Sequence, residues 1–167
     1  MASWLRSLFG NKKEEINTQI FKAKDERIIN LERIIGFEIN DPSLFLKALR
    51  HRSTLTKEQY STYDSYERLE FLGDAVLDLI AAEILFEKYP KSDEGFLTKT
   101  RAKLVRGDTL AKFSKKLGID EVLETGERSD RIGISKSILA DVFESIIAAI
   151  YITNGYPSAF LFVSNVI

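Results

Sequence analysis

Two long apolar segments, residues 65–89 and 137–153, constrain this chain most, because both repeat with a helical period and both carry acids where core belongs. At 3.6 residues per turn, Glu67, Glu70 and Asp74 share one face, and Asp78 follows a turn later. Leu69, Phe71, Leu72, Ala75, Val76, Leu77, Leu79 and Ile80 surround them. Asp141 and Glu144, three apart, sit among Ile138, Leu139, Val142, Phe143, Ile146 and Ile147 in the second segment. Ionised carboxylates are costly to bury unless something positive pairs with them. The bases nearby in sequence are few: Arg68 on the first helix and Lys136 before the second.

Acid pairs on two apolar helices are what a divalent-cation site between facing helices requires. Mg²⁺ takes hard oxygen ligands and keeps several waters, and two acids from each helix can hold one or two such ions. A single acid at helical spacing is usually part of a solvated stripe, and Asp78 is assigned to one. Gly73 costs its helix about 1 kcal/mol relative to Ala. It adjoins Asp74, where lacking a side chain lets a partner helix or a ligand backbone come close.

Helical periodicity extends over most of the remaining chain. Asp25-Glu26-Arg27 opens a helix that stops at Gly36, and Asp41-Pro42 starts another. Residues 53–65 form a polar connection; Tyr60, Tyr63 and Tyr66 fall in or beside it and are assigned to packing. Pro90 ends the long helix. Ser92-Asp93-Glu94 caps a basic helix running to about Val105, and Gly107-Asp108-Thr109 opens a second that ends at Gly118. Residues 119–136, with Gly126, Ser129, Asp130 and Gly133, are expected to be an exposed loop. A last helix starts at Pro157. No stretch alternates like a strand, so an all-α domain is expected.

The 167 residues suit one domain with a single core. Residues 1–24 read as a leader or docking helix, and 25–167 as the domain. No apolar run approaches the roughly 20 residues that span a bilayer, so no membrane partner is expected. The absence of Cys excludes disulfides and thiolate metal sites. Net charge is −1, which alone argues against nucleic acid. The charge is segregated, however: Gly95–Gly118 holds seven bases (Lys99, Arg101, Lys103, Arg106, Lys112, Lys115, Lys116) against one acid, Asp108. That segment is either a phosphate contact, in which Lys99, Arg101, Lys103 and Arg106 are the candidates, or an ordinary solvated face. His51 is the single histidine, and the absence of a Glu-x-x-His pair argues against a di-iron bundle.

The block Glu67-Arg-Leu-Glu-Phe-Leu-Gly-Asp-Ala-Val-Leu77 resembles the signature of the ribonuclease III family, and Ile138-Leu-Ala-Asp-Val-Phe-Glu-Ser-Ile-Ile147 resembles that family's second acidic block. Ala48–Ser53, Glu94–Leu97 and Ala149–Ile152 match in order and spacing. The resemblance implies the endonuclease fold of that family: an all-α, helical, dimerising domain, forming a homodimer with one Mg²⁺-dependent site per subunit, where Mn²⁺ can substitute. The implied reaction is hydrolysis of double-stranded RNA, leaving 5′-phosphate and 3′-hydroxyl ends, in rRNA and mRNA processing in the cytoplasm. Glu70, Asp74, Asp141 and Glu144 match the metal-binding acids, and Asp74 and Glu144 also match the catalytic pair. Glu67 and Glu94 match accessory acids, and the Arg50-His-Arg-Ser53 turn looks structural. Tyr66 stands where the signature commonly has Asn. Most bacterial members continue into a double-stranded-RNA-binding domain, which these 167 residues do not contain.

Overall fold

The computed structural model describes residues 25–55, 63–126 and 133–167; the expected leader, Tyr60, Ser129 and Asp130 lie outside them. The described helices are α1 (Glu26–Ile35), α2 (Ser43–Ala48), α3 (Glu67–Lys88), α4 (Glu94–Leu104), α5 (Gly107–Leu117), α6 (Lys136–Asn154) and α7 (Tyr156–Val166). Short 3₁₀ turns follow α2 (Arg52–Thr54) and α5 (Ile119–Glu121). The described residues form no strand, only an isolated bridge between Arg50 and Glu124, and the all-α expectation holds.

The capping chemistry follows from the residues at the helix ends. The Asp25 side chain accepts the Arg27 amide at 2.9 Å, and Gly36 closes α1 at φ +84°. Asp41 accepts the Ser43 amide at 2.9 Å, so Pro42 sits at the cap of α2 and not inside it. Asp93 accepts the Phe96 amide at 2.7 Å to start α4.

Helix α6 is apolar all round and therefore belongs in the middle. Leu139, Ala140, Val142, Phe143 and residues 145–150 are buried, against α3, α5 and α7 chiefly. It is long and apolar enough to cross a bilayer, but here its apolar surface faces other helices. Two buried serines find backbone partners, which removes the cost of their burial. Ser145 donates to the carbonyls of Ala48 (2.7 Å) and Val142 (2.8 Å), and Ser114 donates to that of Leu139 (2.6 Å).

The segment expected to be an exposed loop after Gly118 is in part core. Ile119 and Val122 are buried, the first within a 3₁₀ turn. Glu124 exchanges backbone hydrogen bonds with the end of α2: its amide donates to Leu49 O (2.9 Å) and its carbonyl accepts the His51 amide (3.0 Å). Its carboxylate pairs with Arg27 and, at 3.4 Å, with Arg50. Polar neighbours hid two apolar anchors. Residues 133–135 before α6 are non-helical, as expected of a connection.

Helix α3 has two apolar faces. Leu69, Gly73, Val76, Leu77, Ile80, Ala81 and Leu85 pack inward. On the other side Phe71, Leu79 and Phe86 are 82%, 57% and 72% exposed. Steps of eight and seven put these three on one stripe.

Candidate metal centre

Helices α3 and α6 cross at Gly73, where α3 has no side chain. A Cβ at Gly73 would lie 1.8 Å from the carbonyl oxygen of Glu144. Of the two uses that lacking a side chain allowed, close approach of a partner helix is the one seen.

That crossing brings acids of both helices together. One carboxylate oxygen from each of Glu70, Asp141 and Glu144 lies within 4.8 Å of the others. All three side chains are half-buried. Burial, then the charges of Asp74, Glu70 and Asp141, pushes the Glu144 carboxyl up to about 8. Glu70 is raised by burial and by Asp141, Glu67 and Asp74. Asp141 is raised by burial, against which a hydrogen bond from Tyr66 acts.

Among the described residues, neither base that the sequence offered pairs with this cluster. Arg68 lies over the Tyr63 ring, 4.8 Å from its centroid. Lys136 reaches Asp108 at 3.1 Å. The donor set is all carboxylate, and converging hard oxygens suit a divalent cation.

A polar cleft of about 320 Å³ opens beside the acids, lined by His51, Arg52, Tyr66, Glu67, Glu70, Ser135, Ser137, Ile138 and Asp141. Tyr66 does pack, as expected, but it also donates its hydroxyl to Asp141 Oδ2 at 3.3 Å. Burial and the surrounding acids push its phenol far above the ordinary tyrosine range, so the proton stays on. His51 takes the structural part: Nδ1 accepts the Ser53 amide at 3.2 Å and caps the 3₁₀ turn. Burial and Arg52 lower its pKa.

The remaining candidates separate. Asp74 is exposed and outside the converging set, although its charge is the leading electrostatic influence on Glu144. Glu67 lines the cleft, accepts from Ser65 Oγ at 2.8 Å and pairs loosely with Arg52 at 3.6 Å. Glu94 accepts from Thr98 within α4 and does not line the cleft. Arg101 pairs with Asp78 at 3.8 Å, and Arg106 with Asp108 at 3.6 Å. Lys99 and Lys103 are exposed.

Comparison with known proteins agrees with this geometry. A family model described as Ribonuclease-III-like matches residues 41–167. Ribonuclease 3 of Azobacteroides pseudotrichonymphae is 41% identical over 136 residues, covering 81% of this chain and 51% of the relative. Ribonuclease 3 of Chlorobium chlorochromatii is 43% identical over 143 residues, covering 84% and 58%. The chain thus spans between half and three-fifths of the length of these relatives. Among solved structures, the nuclease domain of ribonuclease III from Campylobacter jejuni, described as flexible in a region involved in dimer formation, superposes with a TM-score of 0.75 at 37% identity, covering 83% of this chain and 94% of that one. On these grounds, and with an acidic centre in the place its two motif blocks imply, the chain belongs to the ribonuclease III family.

Proposed function

We propose that residues 25–167 are the nuclease domain of a ribonuclease III that hydrolyses double-stranded RNA to 5′-phosphate and 3′-hydroxyl ends. The observation that carries this reading is the convergence of Glu70, Asp141 and Glu144 at one crossing of two helices, with Glu144 raised to about 8 and with Arg68 and Lys136 engaged elsewhere. These three, with Asp74 beside them, would hold Mg²⁺, or Mn²⁺ in its place. When bound, such an ion lowers the pKa of water and stabilises negative charge on a phosphate in displacement. The chain's own part is to hold the carboxylates in place at the crossing, which Glu144 does through the backbone that packs on Gly73. Asp74 and Glu144 are the pair assigned to the reaction itself, and Glu67 and Glu94 are accessory acids.

Duplex RNA is recognised largely by its A-form shape, through phosphates and 2′-hydroxyls. Lys99 and Lys103 are exposed and suited to phosphate contact; Arg101 and Arg106 would first leave Asp78 and Asp108. The exposed stripe of Phe71, Leu79 and Phe86 supports a homodimer through α3, since apolar residues lined up along one helix face are typical of a buried interface. The family and its bacterial relatives support a cytoplasmic role in rRNA and mRNA processing. The test is incubation with long duplex RNA, single-stranded RNA and duplex DNA of one sequence, in Mg²⁺ and in EDTA. Cleavage confined to duplex RNA with Mg²⁺, with products that ligate after 5′-phosphate detection, is expected; equal cleavage of all three would overturn the substrate assignment.

A further inference from the structure

Tyr66 occupies a place where a phenylalanine would pack as well. It is 3% exposed, and its ring lies against that of His51 with centroids 5.7 Å apart. A buried phenol is costly unless its hydroxyl finds a partner, and the partner here is Asp141 Oδ2, 75 residues away in sequence. The backbone of Tyr66 is fixed as well: its amide donates to Arg50 O at 3.1 Å, and its carbonyl accepts the amides of Leu69 (2.8 Å) and Glu70 (2.9 Å). One residue therefore starts the helix that carries Glu70 and bonds the carboxylate of Asp141 on α6.

A hydroxyl donated to a carboxylate fixes the direction in which that carboxylate points. This matters where three acids converge, because a carboxylate that turns away is lost as a ligand. We propose that Tyr66 is a positioning residue of the metal centre, whose hydroxyl holds the Asp141 carboxylate in place, converging with Glu70 and Glu144. This rests on the metal-centre reading above.

Partners one shell out from a metal typically change its affinity by about 10–100-fold, and a bond of 3.3 Å belongs at the low end. The experiment is Mn²⁺ binding to the full chain, read by EPR and calorimetry, for wild type, Tyr66→Phe and Glu144→Gln, with metal-free melting measured alongside. Tyr66→Phe should bind Mn²⁺ about tenfold more weakly with its metal-free melting unchanged, and Glu144→Gln should weaken binding by more than that. In an Asp141→Asn background, Tyr66→Phe should have no further effect on affinity. This cycle decides even if the substitution loosens packing, because a packing loss is common to both backgrounds. A Tyr66→Phe affinity within about twofold of wild type, or an equal loss in both backgrounds, overturns the positioning role and leaves the metal centre standing. Absence of Mn²⁺ binding by wild type overturns both.

Discussion

Gly73 on α3 and the carbonyl of Glu144 on α6 are in such close register that any side chain at 73 would overlap that oxygen, a Cβ falling 1.8 Å away. The two helices carrying the acids are thus spaced by the absence of one methyl group. Since the obstacle is backbone, it cannot swing aside as a flexible side chain would.

Gly73→Ala tests this spacing. Alanine gains about 1 kcal/mol of helix propensity, but overpacking costs about 1–3 kcal/mol and more where backbone must shift. Net destabilisation is expected, seen as a lower urea midpoint, together with weaker Mn²⁺ binding because the displaced backbone carries Glu144. A variant as stable as wild type would show that the helices do not cross this closely.

The raised carboxyls make metal-free stability depend on pH. Glu144 titrates near 4.5 in the unfolded chain and at about 8 in the fold. Between these values the folded protein keeps a proton that the unfolded chain has released, so stability falls as pH rises across that window. Glu70 and Asp141 are raised too and contribute in the same direction. Thermal unfolding in EDTA from pH 4.5 to 8 should show the decline, and saturating Mg²⁺ should flatten it, since a cation favours the ionised acids. A metal-free profile that rises with pH over this range contradicts the burial of Glu144.

What was legible in the sequence was local. Charge inside an apolar helix marks itself, and so does Gly73 within such a helix; Asp93 announced its helix by being an N-cap. Pairings across the chain left no comparable pattern. The Tyr66 hydroxyl meets Asp141 75 residues on, and Arg27 meets Glu124 97 residues on. Nor does spacing tell an occupied base from a free one: Arg101 and Lys99 lie two apart on α4, yet only Arg101 faces Asp78. Ile119 and Val122 escaped because a few apolar residues amid polar ones make no period.

Ile119→Ala measures that correction. Removing a fully buried isoleucine side chain costs about 2–5 kcal/mol, whereas the same change in a solvated loop costs little. A urea midpoint shift of the larger size is expected; one within about 0.5 kcal/mol of wild type would return this segment to the surface.

The exposed stripe on α3 gives a prediction about assembly. Phe71→Asp places a charge where the proposed homodimer buries a ring, and should convert dimer to monomer in sedimentation while the helical circular-dichroism signal persists. A wild-type chain that sediments as a monomer at micromolar concentration, or a Phe71→Asp variant that remains dimeric, contradicts this use of the stripe.

The most direct test of the metal-dependent nuclease assignment is the single-turnover cleavage rate of long duplex RNA at low salt, with Mg²⁺ and with EDTA, for wild type beside Glu144→Gln. Glu144→Gln keeps the shape of the crossing and removes one ionisable oxygen. The expected result is cutting by wild type in Mg²⁺ only, and a rate lowered by at least about a hundredfold in a variant whose melting temperature is no lower. Intact duplex RNA with wild type, or Glu144→Gln cutting at the wild-type rate, would contradict the account.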